Sequence, residues 1–248
     1  PAMREKEYGI WQTRSWADMA TLVEHLACGL HQAGLQRGEH MIVVGANRPR
    51  LSATMLAAQA LGAIPVPLYQ DAAAAECVFP ITNAEVRFCL VEDQEQVDKM
   101  LEVRESCPQL AHIYYDDPRG LRNYHEAGLT ALDDLLTAGK SFAASHPTFF
   151  KDEVAKAHVT DVAAMFFTSG TTGNPKGVVH THSSLIDRAQ AGAEFDKLTS
   201  DEEVLAYLPP AWIGQNIFSY SQWLACGYVV NCPESASTVM IDLKEIGP

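Results

Sequence analysis

Thr168 to Lys176 reads TSGTTGNPK, with four hydroxyl side chains, two glycines, one proline and one lysine in nine positions, directly after the apolar run VAAMFF. Glycine lets backbone N–H groups approach an anion closely, hydroxyls add short donors, and lysine sets a point charge against phosphate oxygens. The stretch is therefore suited to hold a polyphosphate, with Gly170, Gly173 and Lys176 as its main parts. A solvated turn between strands has no need of this ordered set of donors.

The loop is not a Walker A motif, which needs glycine before the lysine and Ser or Thr after it; here Pro175 precedes Lys176 and Gly177 follows. The β-branched pair Val178 and Val179 predicts a strand after the lysine. The expected frame is strand, loop, strand, with no helix N-terminus directly beneath the phosphates.

The surrounding chain must position this loop. Ser15 and Asp18 make a capping box, and Trp16, Met19, Leu22, Val23, Leu26 and Leu30 recur at helical spacing up to Gly34. Strand-like runs at His40–Ala46, Ile64–Leu68, Val86–Val91 and Ala111–Tyr115 alternate with helical segments at Leu51–Leu61 and Asp93–Arg104. The class is α/β, with parallel-rich sheets covered by helices. DDPRGLRNYHEAG leads into a short helix near Leu132 to Leu136, and the polar segment GKSFAASHPTFFKDE after it marks a boundary near residue 150. This gives a first α/β part over 1–150 and a loop-bearing part over 151–248. The second part has a strand at Val162–Phe167, a β-run at Val178–His180, a helix at Ser183–Leu198, a strand at Val204–Tyr207, the loop LPPAWIGQN, another helix and a strand at Tyr228–Asn231. A further helix starts in MIDLKEIGP.

Composition removes several alternatives. The 248 residues, 47% hydrophobic and 20% charged, are ordinary globular material, and a chain of this size buries roughly 70 to 75% of its unfolded surface. Lys+Arg 18 against Asp+Glu 31 gives a net charge of −13 without a basic cluster, which disfavours nucleic acid. Cys28, Cys77, Cys89, Cys107, Cys226 and Cys232 form no CxxC pair and no zinc spacing, so reduced, mostly buried thiols and a cytoplasmic setting are expected. No apolar run approaches the ~18 residues of a membrane span, and PAMREKEYGI carries no signal-type segment, which leaves room only for peripheral membrane association.

Other chemistry fails on spacing. His180 and His182 would share a strand face but have no third ligand nearby, so no metal site is assigned. The acidic runs Glu92–Asp98 and Asp201–Glu203 read as solvated surface, no GxSxG elbow is present, and Cys28 beside His25 and His31 has no charged activator.

TSGTTGNPKGVVHTH resembles the phosphate-binding signature of the AMP-forming acyl-adenylating superfamily, which includes acyl-CoA synthetases, luciferases and peptide-synthetase adenylation domains. SWADMATLVEHLACGLHQAGLQRGEHMIVVGANRP, LAAQALGAIPVPLY and YLPPAWIGQN resemble their counterparts in order, so the likeness covers nearly the whole chain and is closest to long-chain fatty acyl-CoA synthetases. The resemblance implies the N-terminal, large-domain portion of such an enzyme. It implies attack of a carboxylate on the α-phosphate of ATP, accompanied by Mg2+, to give acyl-AMP and pyrophosphate, then transfer of the acyl group to coenzyme A. In-line displacement at phosphorus depends mainly on positioning and charge neutralisation. By resemblance Lys176 and Thr172 serve the chemistry, while Thr168, Ser169, Gly170, Thr171 and Gly173 join them in holding the phosphates, and Trp212 borders the acyl channel.

The later motifs of that superfamily, an aromatic-Gly-x-Thr-Glu run, a ribose-binding aspartate and a C-terminal lysine, have no counterpart before Pro248. The expectation is an N-terminal piece that does not catalyse alone. Two alternatives stay open: an acyl-AMP ligase delivering to a carrier protein, and a non-catalytic nucleotide-binding module. The partners implied are small molecules; chain length of the acid and oligomeric state are not readable.

Overall fold

The computed structural model describes residues 1–168 and 174–247. Of the residues assigned to the loop, Ser169, Gly170, Thr171, Thr172 and Gly173 lie outside the described residues.

The chain opens with a hairpin of β1 (Met3–Glu7) and β2 (Ile10–Arg14). Glu7 pairs with Ile10, and both turn residues, Tyr8 and Gly9, have positive φ, 50° and 73°. This is the two-residue turn whose twist matches that of the strands it joins. Next comes α1 (Trp16–Gln32), started by the expected capping box, with Ser15 Oγ accepting from the Asp18 N–H and Asp18 from the Ser15 N–H. Such a cap stabilises a helix by about 1 kcal/mol.

A five-stranded parallel sheet follows, built from β3 (His40–Val44), α2 (Pro49–Ala60), β4 (Ile64–Leu68), α3 (Ala74–Asn83), β5 (Phe88–Val91), α4 (Gln94–Arg104), β6 (His112–Tyr115) and β7 (Leu129–Ala131), in the order β4-β3-β5-β6-β7. Its central strands are apolar on both faces because helices cover both. Met41, Val43, Phe88 and Leu90 pack into one core with α1 and α2, whereas Ile42, Val44, Cys89 and Val91 pack into a second with α3 and α4. Each fully buried aliphatic side chain contributes roughly 1.5–3 kcal/mol.

The segment read as a polar boundary is helical. The short helix expected near Leu132 runs as α5 (Leu132–Ser145), and α6 (Phe149–Val154) follows. Beyond them lie β8 (Val162–Thr168), β9 (Lys176–Thr181), α7 (His182–Asp196), β10 (Glu203–Leu205), α8 (Ile213–Asn216), a π-helical turn over Ile217–Ser221, α9 (Gln222–Cys226), β11 (Val229–Cys232) and α10 (Val239–Ile246). The helix expected at the end of the chain closes on Gly247 at φ 59°. A second sheet has the order β10-β11-β1-β2, so the first two strands pair beside the last two.

β8 and β9 form a separate antiparallel pair next to β4. Pro65 and Pro67 explain the separation. In a parallel strand alternate residues bond to the same side, and with Ile64, Val66 and Leu68 facing β3 the two prolines fall on the free edge, where they supply no N–H to β8. Gln59 Nε2 instead ties the pair to α2 by donating to the Ala163 carbonyl at 2.8 Å. No described helix is long and apolar enough to cross a membrane.

The thiols follow the burial pattern. Cys28, Cys77, Cys89, Cys107 and Cys232 are buried and Cys226 is part-exposed. Burial pushes Cys28 and Cys77 up to about 11 and Cys232 up to about 12. Cys28 is thus a core thiol, not a nucleophile. Titration of the native protein with a thiol reagent at pH 8 should label Cys226 at least ~100-fold faster than the other five; a second fast thiol would contradict this packing.

Candidate functional site

The two expected flanking strands are present. Thr168, the last residue of β8, lies directly opposite Lys176, the first of β9, and Thr168 Oγ1 donates to the Lys176 carbonyl at 3.5 Å. The sequence between them therefore leaves and re-enters the hairpin at one place. The two described members of the predicted set, Thr168 and Lys176, are side by side and both exposed. Lys176 has no ion-pair partner among the described residues. In a chain of net charge −13, that leaves its ammonium group available to an anion.

Trp212 is 42% exposed and is not a core tryptophan. It is the N-cap of α8, its ring lies over Gly214, where a Cβ would collide with it, and it stands 6.5 Å from Phe218. The fully buried tryptophan is Trp223, which donates to the Ala2 carbonyl and stacks on Trp16 at 4.7 Å.

Trp16 and Trp223 wall a cavity of about 740 Å3, together with Val23, Leu56, Leu185 and Leu224. It is set among α1, α2, α6, α7 and α9, and Ala163 of β8 reaches its edge. Trp212 is not among its lining residues, but the segment that begins at Trp212 forms one wall. Sequence reasoning missed this cavity, since its walls come from five separated segments.

His180 and His182 do not share a strand face, because β9 ends at Thr181 and His182 opens α7. His180 packs edge-on against Phe166, and His182 lines the cavity, where burial lowers its pKa. No group of three or more His, Cys, Asp or Glu converges as a metal site among the described residues. Glu92, read as solvated, is held inward: its carboxylate accepts from the Ala46 N–H at 2.6 Å and pairs with Arg48 at 2.9 Å.

The AMP-binding enzyme family matches residues 1–246. The chain belongs to that family. Among AMP-binding relatives, the human long-chain-fatty-acid–CoA ligase ACSBG2 is 28% identical over 256 residues, covering 100% of this chain and 37% of the relative. The long-chain-fatty-acid–CoA ligase FadD15 of Mycobacterium tuberculosis is 28% identical over 207 residues, covering 83% and 33%. The chain thus spans about a third of the length of these curated relatives. The N-terminal domain of FACL13 from Mycobacterium tuberculosis superposes with a TM-score of 0.76 at 23% identity, covering 98% of this chain and 56% of that one. The anthranilate CoA ligase AuaEII in complex with anthranoyl-AMP gives 0.81 at 19% identity, covering 100% and 44%. These likenesses show the fold expected of an AMP-binding N-terminal region.

Proposed function

We propose that this chain forms the phosphate-gripping and acyl-side portion of an ATP-dependent ligase. The ligase converts a fatty acid to acyl-AMP and pyrophosphate and then forms the thioester with coenzyme A. The observation that carries the reading is the strand pairing of Thr168 with Lys176, which brackets TSGTTGNPK and presents a lysine that has no ion-pair partner among the described residues.

In this reading the backbone amides and hydroxyls of Ser169, Gly170, Thr171, Thr172 and Gly173 hold the β- and γ-phosphates, and Lys176 neutralises charge that grows on the leaving pyrophosphate. Preorganised donors of this kind act without a protein nucleophile. The acyl chain takes the apolar cavity walled by Trp16, Leu185 and Trp223, whose volume falls in the range of ligand sites. In this reading Trp212, at the head of the segment that forms one wall, borders the acyl channel.

The test is fatty-acid-dependent exchange of pyrophosphate into ATP by the complete protein, followed by coenzyme A-dependent release of AMP. Exchange that needs the acid, with thioester formed on coenzyme A, supports the proposal. Exchange with transfer only to a phosphopantetheine-bearing carrier protein would replace the acceptor. ATP binding without any exchange across acids of different chain length would leave a nucleotide-binding module in place of the ligase.

A further inference from the structure

The loop that carries Trp212 is held from the opposite end of the sequence. We propose that Asn47 is a positioning residue for this loop and, resting on the reading of Trp212 as substrate-side, that it sets productive binding of the acid without touching it.

Both hydrogens of Asn47 Nδ2 are spent on the loop: it donates to the Ala206 carbonyl at 3.0 Å and to the Leu208 carbonyl at 2.8 Å. Asn47 Oδ1 accepts from Gln215 Nε2 at 3.3 Å, and Gln215 Oε1 in turn accepts from the Leu208 N–H at 3.2 Å. Leu208 is therefore clamped at both of its backbone groups, one by each amide. Leu208 opens the Leu208–Trp212 stretch, in which the Trp212 N–H bonds to the Pro209 carbonyl. Two prolines stiffen what the clamp fixes.

Asn47 itself has little freedom. The Ala46 N–H is bound by Glu92, and Arg48 pairs with Glu92 while donating to the carbonyls of Pro233 at 2.7 Å and Glu234 at 3.1 Å. Pro49 then starts α2. The turn after β3 is thus a brace fixed on both sides of Asn47, and its amide transmits that position to the Trp212 loop. Only a side chain with two donors and one acceptor on a short stem satisfies all the partners. An aspartate of the same shape would lose both donors and set a carboxylate against two carbonyl oxygens.

Asn47→Asp and Asn47→Ala in the complete protein test this, with amide hydrogen exchange and steady-state kinetics as readouts. Expected are at least ~10-fold faster exchange at the Leu208 amide with β3 protection unchanged, and a KM for the acid raised ~10- to 100-fold while that for ATP stays within ~2-fold. Asn47→Asp should exceed Asn47→Ala. Unchanged exchange at Leu208 in both variants overturns the clamp. Faster exchange with no change in the acid KM overturns the link from loop to substrate, and parallel loss of acid and ATP parameters with protection lost throughout β3 reduces Asn47 to a folding residue. The reading of the site as an adenylation centre fails separately, by absence of acid-dependent pyrophosphate exchange in the unsubstituted protein, and the hydrogen-exchange result still decides the clamp.

Discussion

Lys176→Ala is expected to weaken ATP binding ~10- to 100-fold and to lower acid-dependent pyrophosphate exchange by at least as much, with melting temperature unchanged. A hydrogen bond to a charged group is worth about 1.5–3 kcal/mol, and this bond would be made to a polyanion. Among the described residues the ammonium group has no ion-pair partner, and Lys176 is exposed at the start of β9. Its removal therefore costs binding and not stability. Lys176→Arg keeps the charge and should recover most of the affinity, since the contact demands a point charge more than a planar fork. Titration calorimetry with MgATP and exchange kinetics at 0.05 and 0.2 M salt check this, the loss being largest at low salt. An Ala variant that binds ATP as tightly as the original would show that the hairpin does not grip the triphosphate.

What was legible in the sequence divides along a physical line. Elements that bury one periodic face or one continuous apolar run announced themselves: the capping box at Ser15 opens α1, and Ile64–Leu68 is β4 to the residue. The strands that end at Thr168 and start at Lys176 were readable because an apolar run precedes the first residue and a β-branched pair follows the lysine. The hairpin of β1 and β2 was missed, since the glycine of the Tyr8-Gly9 turn was its one local signal. β1 (MREKE) is almost wholly charged and β2 (IWQTR) shows no period of two, and their sheet is completed only through parallel pairing of β1 with β11, more than 200 residues away. α3 was hidden by Pro80 in its interior. The clamp of Asn47 on Leu208 could not be read at all, because no local pattern links positions 161 residues apart. The cavity walls, contributed by α1, α2, α6, α7 and α9, were illegible for the same reason.

Gly139 carries the second large expectation. It opens GKSFAASHPTFFKDE and sits in the middle of α5. There α5 crosses α1 with backbone against backbone. A Cβ on Gly139 would fall inside the His25 carbonyl oxygen and 2.7 Å from the Gly29 nitrogen, and a Cβ on Gly29 would lie 2.5 Å from the Leu135 carbonyl oxygen. Two opposing effects bear on Gly139→Ala: alanine gains about 1 kcal/mol of helix propensity, while forcing a methyl into packed backbone costs typically 1–3 kcal/mol, and more when no side chain can yield. Here every near neighbour is main chain, so the cost wins and the helices must part. Net destabilisation of about 2 kcal/mol or more is expected, a fall in melting temperature of roughly 4–8 °C for a chain of this size. Gly192 in α7 gives the contrast, because the atom its Cβ would meet is Nε2 at the tip of the Gln222 side chain. That tip can swing aside, so Gly192→Ala should be neutral or stabilising by up to about 1 kcal/mol. Thermal or urea unfolding of the two variants decides it: equal stability of both would mean that the α1–α5 crossing is looser than backbone contact.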